Sequence, residues 1–220
     1  HGRDLGRKAA GIRAIKSGAR APHGKHEPRW APSTGSGPLA LLDVHTPVRD
    51  QLAWLEREAP SYLVTYPNNA AALIAEIEDQ GTELPDLLEL GTLGEVLPAG
   101  LRESCRRVLG VPLVDAYSTV ELGYLALQCP EHEHYHVQSE HVFVEILRDD
   151  GAPCAIGESG RVVATALHAF AMPLIRYELG DYATVGAPCP CGRGLPVLDR
   201  ILGRARNMLR LPDGDVLWPR

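Results

Sequence analysis

Five cysteines and nine histidines are spread unevenly along the chain, with a concentration of metal-binding types in two short runs. Cys129-Pro-Glu-His132-Glu-His134-Tyr-His136 and Cys189-Pro-Cys191 together offer three thiols and three imidazoles. Thiolate and imidazole donors in a set of four are what Zn²⁺ takes in tetrahedral geometry. In a strand the three histidines face one way and compete for a single position. With His136 in that position, Cys129, His136, Cys189 and Cys191 close the shell. A closed shell leaves no place for water or substrate, so the site reads as structural zinc. Cys105 falls on a helical pattern and Cys154 in a turn, both outside the set. An odd number of cysteines, without a leader of secretory type, argues against a disulfide framework.

Three further segments carry hydroxyls, carboxylates and guanidinium groups. Asp115-Ala-Tyr117-Ser118-Thr119-Val-Glu121 directly follows a strand pattern, where α/β folds present side chains to ligands and metals. Pro173-Leu-Ile-Arg176-Tyr177-Glu-Leu-Gly180-Asp181 ends in a carboxylate after a glycine turn, and such a carboxylate can accept both hydroxyls of a ribose. Gly203-Arg204-Ala-Arg206-Asn207 places cations after another glycine turn, and the planar fork of Arg204 suits phosphate or ribose. Singly, each segment also fits an ordinary surface loop.

Two kinds of element must hold these residues. From Leu39 to Ala116, short apolar runs alternate with helical patterns. Leu39–Leu42, Tyr62–Tyr66, Leu87–Leu90 and Val111–Ala116 read as strands. Thr46-Pro47 starts one helix, with Thr as cap, which Pro60 stops; Asn68 or Asn69 caps a second, which Gly81 ends. A third runs from about Pro98 to Leu109, ended by Gly110. That alternation predicts a parallel α/β layer. After Glu121 the period becomes two: His136–Leu147 alternates, Asp149-Asp150-Gly151 turns, and Arg161–Leu167 is β-branched, which predicts antiparallel strands. Asn207–Trp218 reads as a hairpin around Leu211-Pro212-Asp213-Gly214.

Composition limits the partners. The net charge of −6 conceals eight Lys/Arg against two acidic residues in positions 1–30. This basic arm has no interleaved aromatics and no helix–turn–helix or zinc-finger pattern, so it reads as a solvated segment, with no nucleic-acid partner. The longest apolar stretches, such as Ala169–Ile175, are too short to span a bilayer, and the start has no segment of secretory type, so a cytoplasmic protein is expected.

Taken in order, Tyr117-x-x-x-Glu121, Pro173-Leu-Ile-Arg-Tyr-x-x-Gly180-Asp181 and Gly203-Arg204 resemble the motifs of the acyl-adenylate-forming ligases, most closely the phenylacetate–CoA ligase branch. Tyr62-Leu-Val-Thr-Tyr66-Pro67, Gly94-Glu95, His136–Ile146 and the Cys-Pro-Cys-Gly-Arg run at 189–193 fit that branch too. The resemblance covers roughly residues 39–218. It implies part of the large N-terminal domain of a two-step ligase: a small carboxylic acid and ATP give an acyl-adenylate and pyrophosphate, and coenzyme A then displaces AMP. It also implies roles: Glu121 helps hold Mg²⁺ with Thr119 near the phosphate, and Tyr117 stacks near the adenine beside Ser118. Gly94 and Glu95 line the nucleotide and acyl pockets, Asp181 takes the ribose hydroxyls, and Arg204 contacts AMP. Some members of the branch carry a zinc site of the type described above.

The sequence departs from the pattern at Ser118, where Gly is usual, and at Val120, where a hydroxyl is usual and Thr119 stands one position away. Arg206 and Asn207 replace the usual acidic hinge. Ser33-Thr-Gly-Ser-Gly37 is reminiscent of the family's phosphate loop but lacks a following Lys and comes in the wrong order, so it reads as linker. The expected organisation is a basic arm and linker (1–38), an α/β subdomain (39–128), a β-rich subdomain with the zinc site (129–203) and the start of a small C-terminal domain (204–220). Such a piece is expected to be inactive alone. Two other readings are an adenylating enzyme that passes its acyl group to a carrier protein or amine, and a non-catalytic zinc-stabilised domain derived from the ligase fold.

Overall fold

The computed structural model describes residues 2–15, 19–31, 35–211 and 216–218. Ser33 and Thr34, and Pro212–Gly214 at the centre of the expected hairpin, lie outside these. The chain divides into two compact units, His1–Val114 and Asp115–Arg220.

The first unit contains β1 (Ala9–Arg13), β2 (Lys25–Glu27), β3 (Leu39–Asp43), α1 (Val48–Glu58), β4 (Tyr62–Thr65), α2 (Pro67–Gln80), β5 (Glu89–Leu93) and α3 (Leu101–Leu109). Strand order is β2-β3-β1-β4-β5; β3, β1, β4 and β5 pair in parallel and β2 adds an antiparallel edge. Ile12, Leu42, Leu63 and Leu90 from the strands pack with Trp54 and Leu55 of α1, Leu73 and Ile74 of α2, and Leu101 of α3. Each fully buried side chain of this size stabilises the fold by roughly 1.5–3 kcal/mol.

The basic arm is a correction. Ala9–Arg13 is a buried strand between β3 and β4, not a solvated segment. Two of its cations find partners far downstream in the unit: Arg3 Nε donates to Glu89 Oε1 at 2.8 Å, and Lys8 Nζ to Glu58 Oε2 at 2.6 Å. His26 reaches the same Glu58 at 2.9 Å. Small residues (Ala9-Ala10-Gly11) hide the strand from an apolar-period reading, and charge counting along the chain cannot see partners far downstream.

Helix starts also differ from expectation. Pro47, not Thr46, is the residue before α1, and no side chain caps it. α2 begins at Pro67, and its Asn68 N–H is taken at 3.0 Å by the carboxylate of Glu95, a distant residue. Asn69 instead donates to Gln51 Oε1 and Thr65 Oγ1, at 2.9 and 3.0 Å. Gly81 and Gly110 end α2 and α3 in left-handed geometry, as expected. α1 ends the same way at Ala59, with φ 44°, a conformation that disfavours a Cβ.

β6 (Leu113–Thr119) leads into the second unit, followed by β7 (Gly123–Gln128), β8 (Tyr135–Val137), β9 (Val142–Leu147), β10 (Ser159–Ala166), β11 (Tyr177–Val185) and β12 (Val197–Arg204). The order is β6-β7-β8-β12-β11-β10-β9, every neighbour antiparallel. A 3₁₀ turn at Ala205–Asn207 precedes a small hairpin, β13 (Leu209–Arg210) with β14 (Val216–Leu217). The predicted change from parallel to antiparallel architecture therefore holds. Two boundaries move: Asp115–Thr119 lies inside β6 rather than after it, and His136–Leu147 is two strands. No helix among the described residues is long and apolar enough to cross a membrane.

Candidate functional site

Three of the residues singled out by motif meet on the antiparallel sheet. β11 carries a bulge: Tyr182 pairs with Arg161 but Glu178 with Val163, so the chain between them has surplus length. Gly180 absorbs it at φ 71°, and Asp181 comes into register with Arg204 of β12. Arg204 Nε lies 3.0 Å from Asp181 Oδ1, and Arg204 Nη1 donates to the Leu179 carbonyl at 2.7 Å. From β6, the Tyr117 hydroxyl donates to Asp181 Oδ2 at 2.8 Å. The Asp181 side chain is 7% exposed, whereas the Arg204 side chain is 48% exposed. Burial, then the Asp181 charge, pushes the Tyr117 phenol far above its ordinary range, so it remains a hydroxyl donor. Each carboxylate oxygen keeps a second lone pair, which leaves acceptor capacity for a diol.

The neighbouring motif residues behave differently. Ser118 and Thr119 are half-buried, and Thr119 Oγ1 accepts the Leu122 N–H at 3.1 Å. Val120 is fully exposed, and Glu121 is exposed beside it. Gly94 and Glu95 belong to the first unit, directly after β5, where Glu95 caps α2.

The second unit brings four of the Cys/His side chains together. One donor atom from each of Cys129, His136, Cys189 and Cys191 lies within 4.8 Å of all the others. Tetrahedral zinc with Zn–S of about 2.3 Å places two sulfurs about 3.8 Å apart, and Cys129 Sγ and Cys189 Sγ are 3.8 Å apart. Cys191 Sγ and His136 Nε2 stand at 3.3 Å. The donor set and its spacing fit zinc. Gly192, at φ 81°, turns the chain so that the Arg193 backbone N–H holds the Cys191 thiol below its ordinary pKa. Loss of hydration pushes the Cys189 thiol up to about 11. Loss of hydration also lowers His136, keeping the imidazole in the neutral form a metal requires. His132 stacks on His134, ring centroids 5.2 Å apart, outside the donor set.

Motif reading includes Asp115 in the first segment but misses its buried partners, Tyr135 and Gln128. Asp115, 4% exposed, accepts the Tyr135 hydroxyl at Oδ2, 2.6 Å, and its N–H donates to Gln128 Oε1 at 2.8 Å. The available signal was Tyr135 between two histidines in an alternating run, which put its side chain on the face opposite them.

No family model matches the sequence. Curated relatives do: the chain is 31% identical over 167 residues to a phenylacetate–coenzyme A ligase of Thermus thermophilus, covering 72% of this chain and 37% of that protein. It is 31% identical over 157 residues to the Escherichia coli protein of the same name, 68% of this chain and 36% of that protein. The chain thus spans little more than a third of these relatives. Among solved structures, a 2-hydroxyisobutyryl-CoA ligase in complex with 2-HIB-AMP superposes with a TM-score of 0.80 at 18% identity, over 99% of this chain and 47% of that one. An anthranilate CoA ligase in complex with anthranoyl-AMP gives 0.67 at 19% identity, over 84% and 37%. The same motif residues that meet around Asp181 and the same Cys-Pro-Cys-Gly-Arg run thus stand in a chain with sequence relatives of one name and a fold shared with CoA ligases: it belongs to the phenylacetate–CoA ligase branch of the acyl-adenylate-forming ligases.

Proposed function

We propose that this chain carries nucleotide-binding machinery of an AMP-forming carboxylate–CoA ligase, and that Asp181 is its ribose acceptor. The observation that carries this reading is the buried Asp181 carboxylate, held by Tyr117 on one oxygen and Arg204 on the other. In the first half-reaction a carboxylate oxygen of a small acid attacks the α-phosphorus of ATP and pyrophosphate leaves; in the second a thiol, that of coenzyme A, attacks the acyl carbon and AMP leaves. Residues of this chain contribute by orienting the nucleotide and neutralising charge. Asp181 accepts the ribose hydroxyls, the exposed Arg204 fork reaches AMP, and Tyr117 and Ser118 border the adenine. Gly94 and Glu95 line the nucleotide and acyl pockets. Glu121, exposed and unburdened by a described ion pair, would hold Mg²⁺ with Thr119 nearby, and that ion would supply charge neutralisation at the phosphates. Cys129, His136, Cys189 and Cys191 hold structural zinc. Five unbridged cysteines, three of them in a metal set, suit a reducing cytoplasm, and residues 204–220 begin a small C-terminal domain.

The test is thermal shift with AMP, followed by ATP–pyrophosphate exchange over a panel of carboxylic acids. Stabilisation by AMP that disappears in Asp181→Ala is expected; an unchanged melting temperature with AMP at millimolar concentration sinks the reading. A pyrophosphate-release screen with coenzyme A, carrier protein and amines then identifies the acceptor. One observation favours a second reading, a non-catalytic zinc-stabilised domain: Val120 presents no hydroxyl, and that of Thr119 already accepts the Leu122 N–H. Because such a piece is expected to be inactive alone, missing exchange does not select it; AMP binding with no added stabilisation by ATP and Mg²⁺ would.

A further inference from the structure

The cross-strand pair Gln128 and Tyr135, on β7 and β8, is unusual in its neighbours. Gln128 immediately precedes Cys129, and Tyr135 immediately precedes His136. Successive side chains of a strand point to opposite faces. Two ligands of the Cys/His cluster therefore have, as their sequence neighbours, the two residues that grip Asp115 from the other side: Tyr135 through its hydroxyl at 2.6 Å and Gln128 through Oε1 at 2.8 Å. Cys129 is tied into the same hairpin, its N–H donating to the His134 carbonyl at 2.8 Å. Asp115 and Tyr117 are two apart on β6 and share its buried face, and Tyr117 holds Asp181.

We propose that Tyr135 is a positioning residue that couples the Cys/His cluster to the nucleotide site, through Asp115 and strand β6. This rests on the reading of Asp181 as nucleotide acceptor and of the cluster as a zinc site. A metal fixing the backbone at Cys129 and His136 fixes Gln128 and Tyr135 with it, and these two set the height of Asp115, hence of Tyr117 beside Asp181. Tyr135 touches neither metal nor nucleotide; it acts through Asp115. Coupling between two sites is reciprocal, so it is readable at the metal as well as at the nucleotide.

The experiment uses the full 220-residue chain loaded with zinc. AMP binding is measured by calorimetry, and zinc affinity by competition with a chromophoric chelator, with and without saturating AMP. In the wild type, AMP is expected to tighten zinc binding about fivefold to tenfold, the worth of one hydrogen bond converted to an equilibrium ratio. In Tyr135→Phe, zinc stoichiometry is kept, AMP binds about fivefold more weakly, and the effect of AMP on zinc falls below about twofold. A residue that merely supported the fold would lower both affinities and leave their linkage in place, and that result overturns the proposal. So does a wild type whose zinc affinity ignores AMP. Asp115→Asn keeps an acceptor oxygen for the Tyr135 hydroxyl and is the second variant: its linkage is expected to survive within about twofold, and its loss counts equally against the proposal. A zinc-loaded wild type that binds no AMP refutes the nucleotide reading itself, and one that takes up no zinc refutes the metal reading.

Discussion

The Cys/His cluster and the Asp181 cluster are both built from segments distant in the chain, yet they differ in what assembles them. The first is a set of donors whose identity alone is rare: two cysteines in Cys189-Pro-Cys191 and a cysteine and a histidine at the two ends of an eight-residue run. Any fold that brings those runs together yields a tetrahedral set. The second uses common residues, a tyrosine, an aspartate and an arginine, and works only because a bulge in β11 shifts Asp181 into register with Arg204. One site is specified by chemistry, the other by backbone geometry, and they should fail in different ways.

Cys191→Ser provides the sharpest contrast. It is expected to abolish stoichiometric zinc and to lower stability by more than about 3 kcal/mol, because metal binding and folding of such a site are one event; metal analysis with a urea titration measures it. Asp181→Ala is next. It leaves a buried phenol without its acceptor and a half-exposed Arg204 without its anion, and after allowance for solvent screening of Arg204 about 2 kcal/mol is expected. Zinc content should stay at the wild-type level; a parallel loss of metal would show the two clusters to be one cooperative structure. Gly180→Ala tests geometry without removing any functional group, its Cβ meeting Arg204 Nη1 at an ordinary 3.9 Å. At φ 71° an added Cβ costs about 1–2 kcal/mol, and loss of AMP binding beyond the loss of stability would show the bulge aims Asp181. The smallest effect is a control in the first unit: Ala59→Gly relieves the left-handed residue at φ 44° and should raise the urea midpoint by the equivalent of about 0.5–1 kcal/mol, with both clusters unchanged.

Much of the molecule was readable in advance where a period is strong. β3, β4 and the glycine-ended helices α2 and α3 follow from apolar spacing, and the antiparallel second unit from its alternation. β1 was not readable, because Ala9-Ala10-Gly11 is too small to register as apolar and is flanked by cations whose partners, Glu58 and Glu89, lie far downstream. Helix starts were misread because the group that caps α2 is Glu95, beyond any local capping rule.

Residue chemistry, readable along the chain, decided that this protein offers a four-donor soft-metal set and a carboxylate–guanidinium–phenol trio. Hydrophobic period decided which stretches are strands or helices. The tertiary structure alone decided that Tyr117 donates to Asp181, that Asp115 is held from behind by the neighbours of two metal ligands, and that the basic arm enters a sheet. The physical reason is one of range: period and residue type act over a turn or a strand, whereas register, bulges and buried polar pairs are set by backbone hydrogen bonds between segments whose separation in the chain carries no signal.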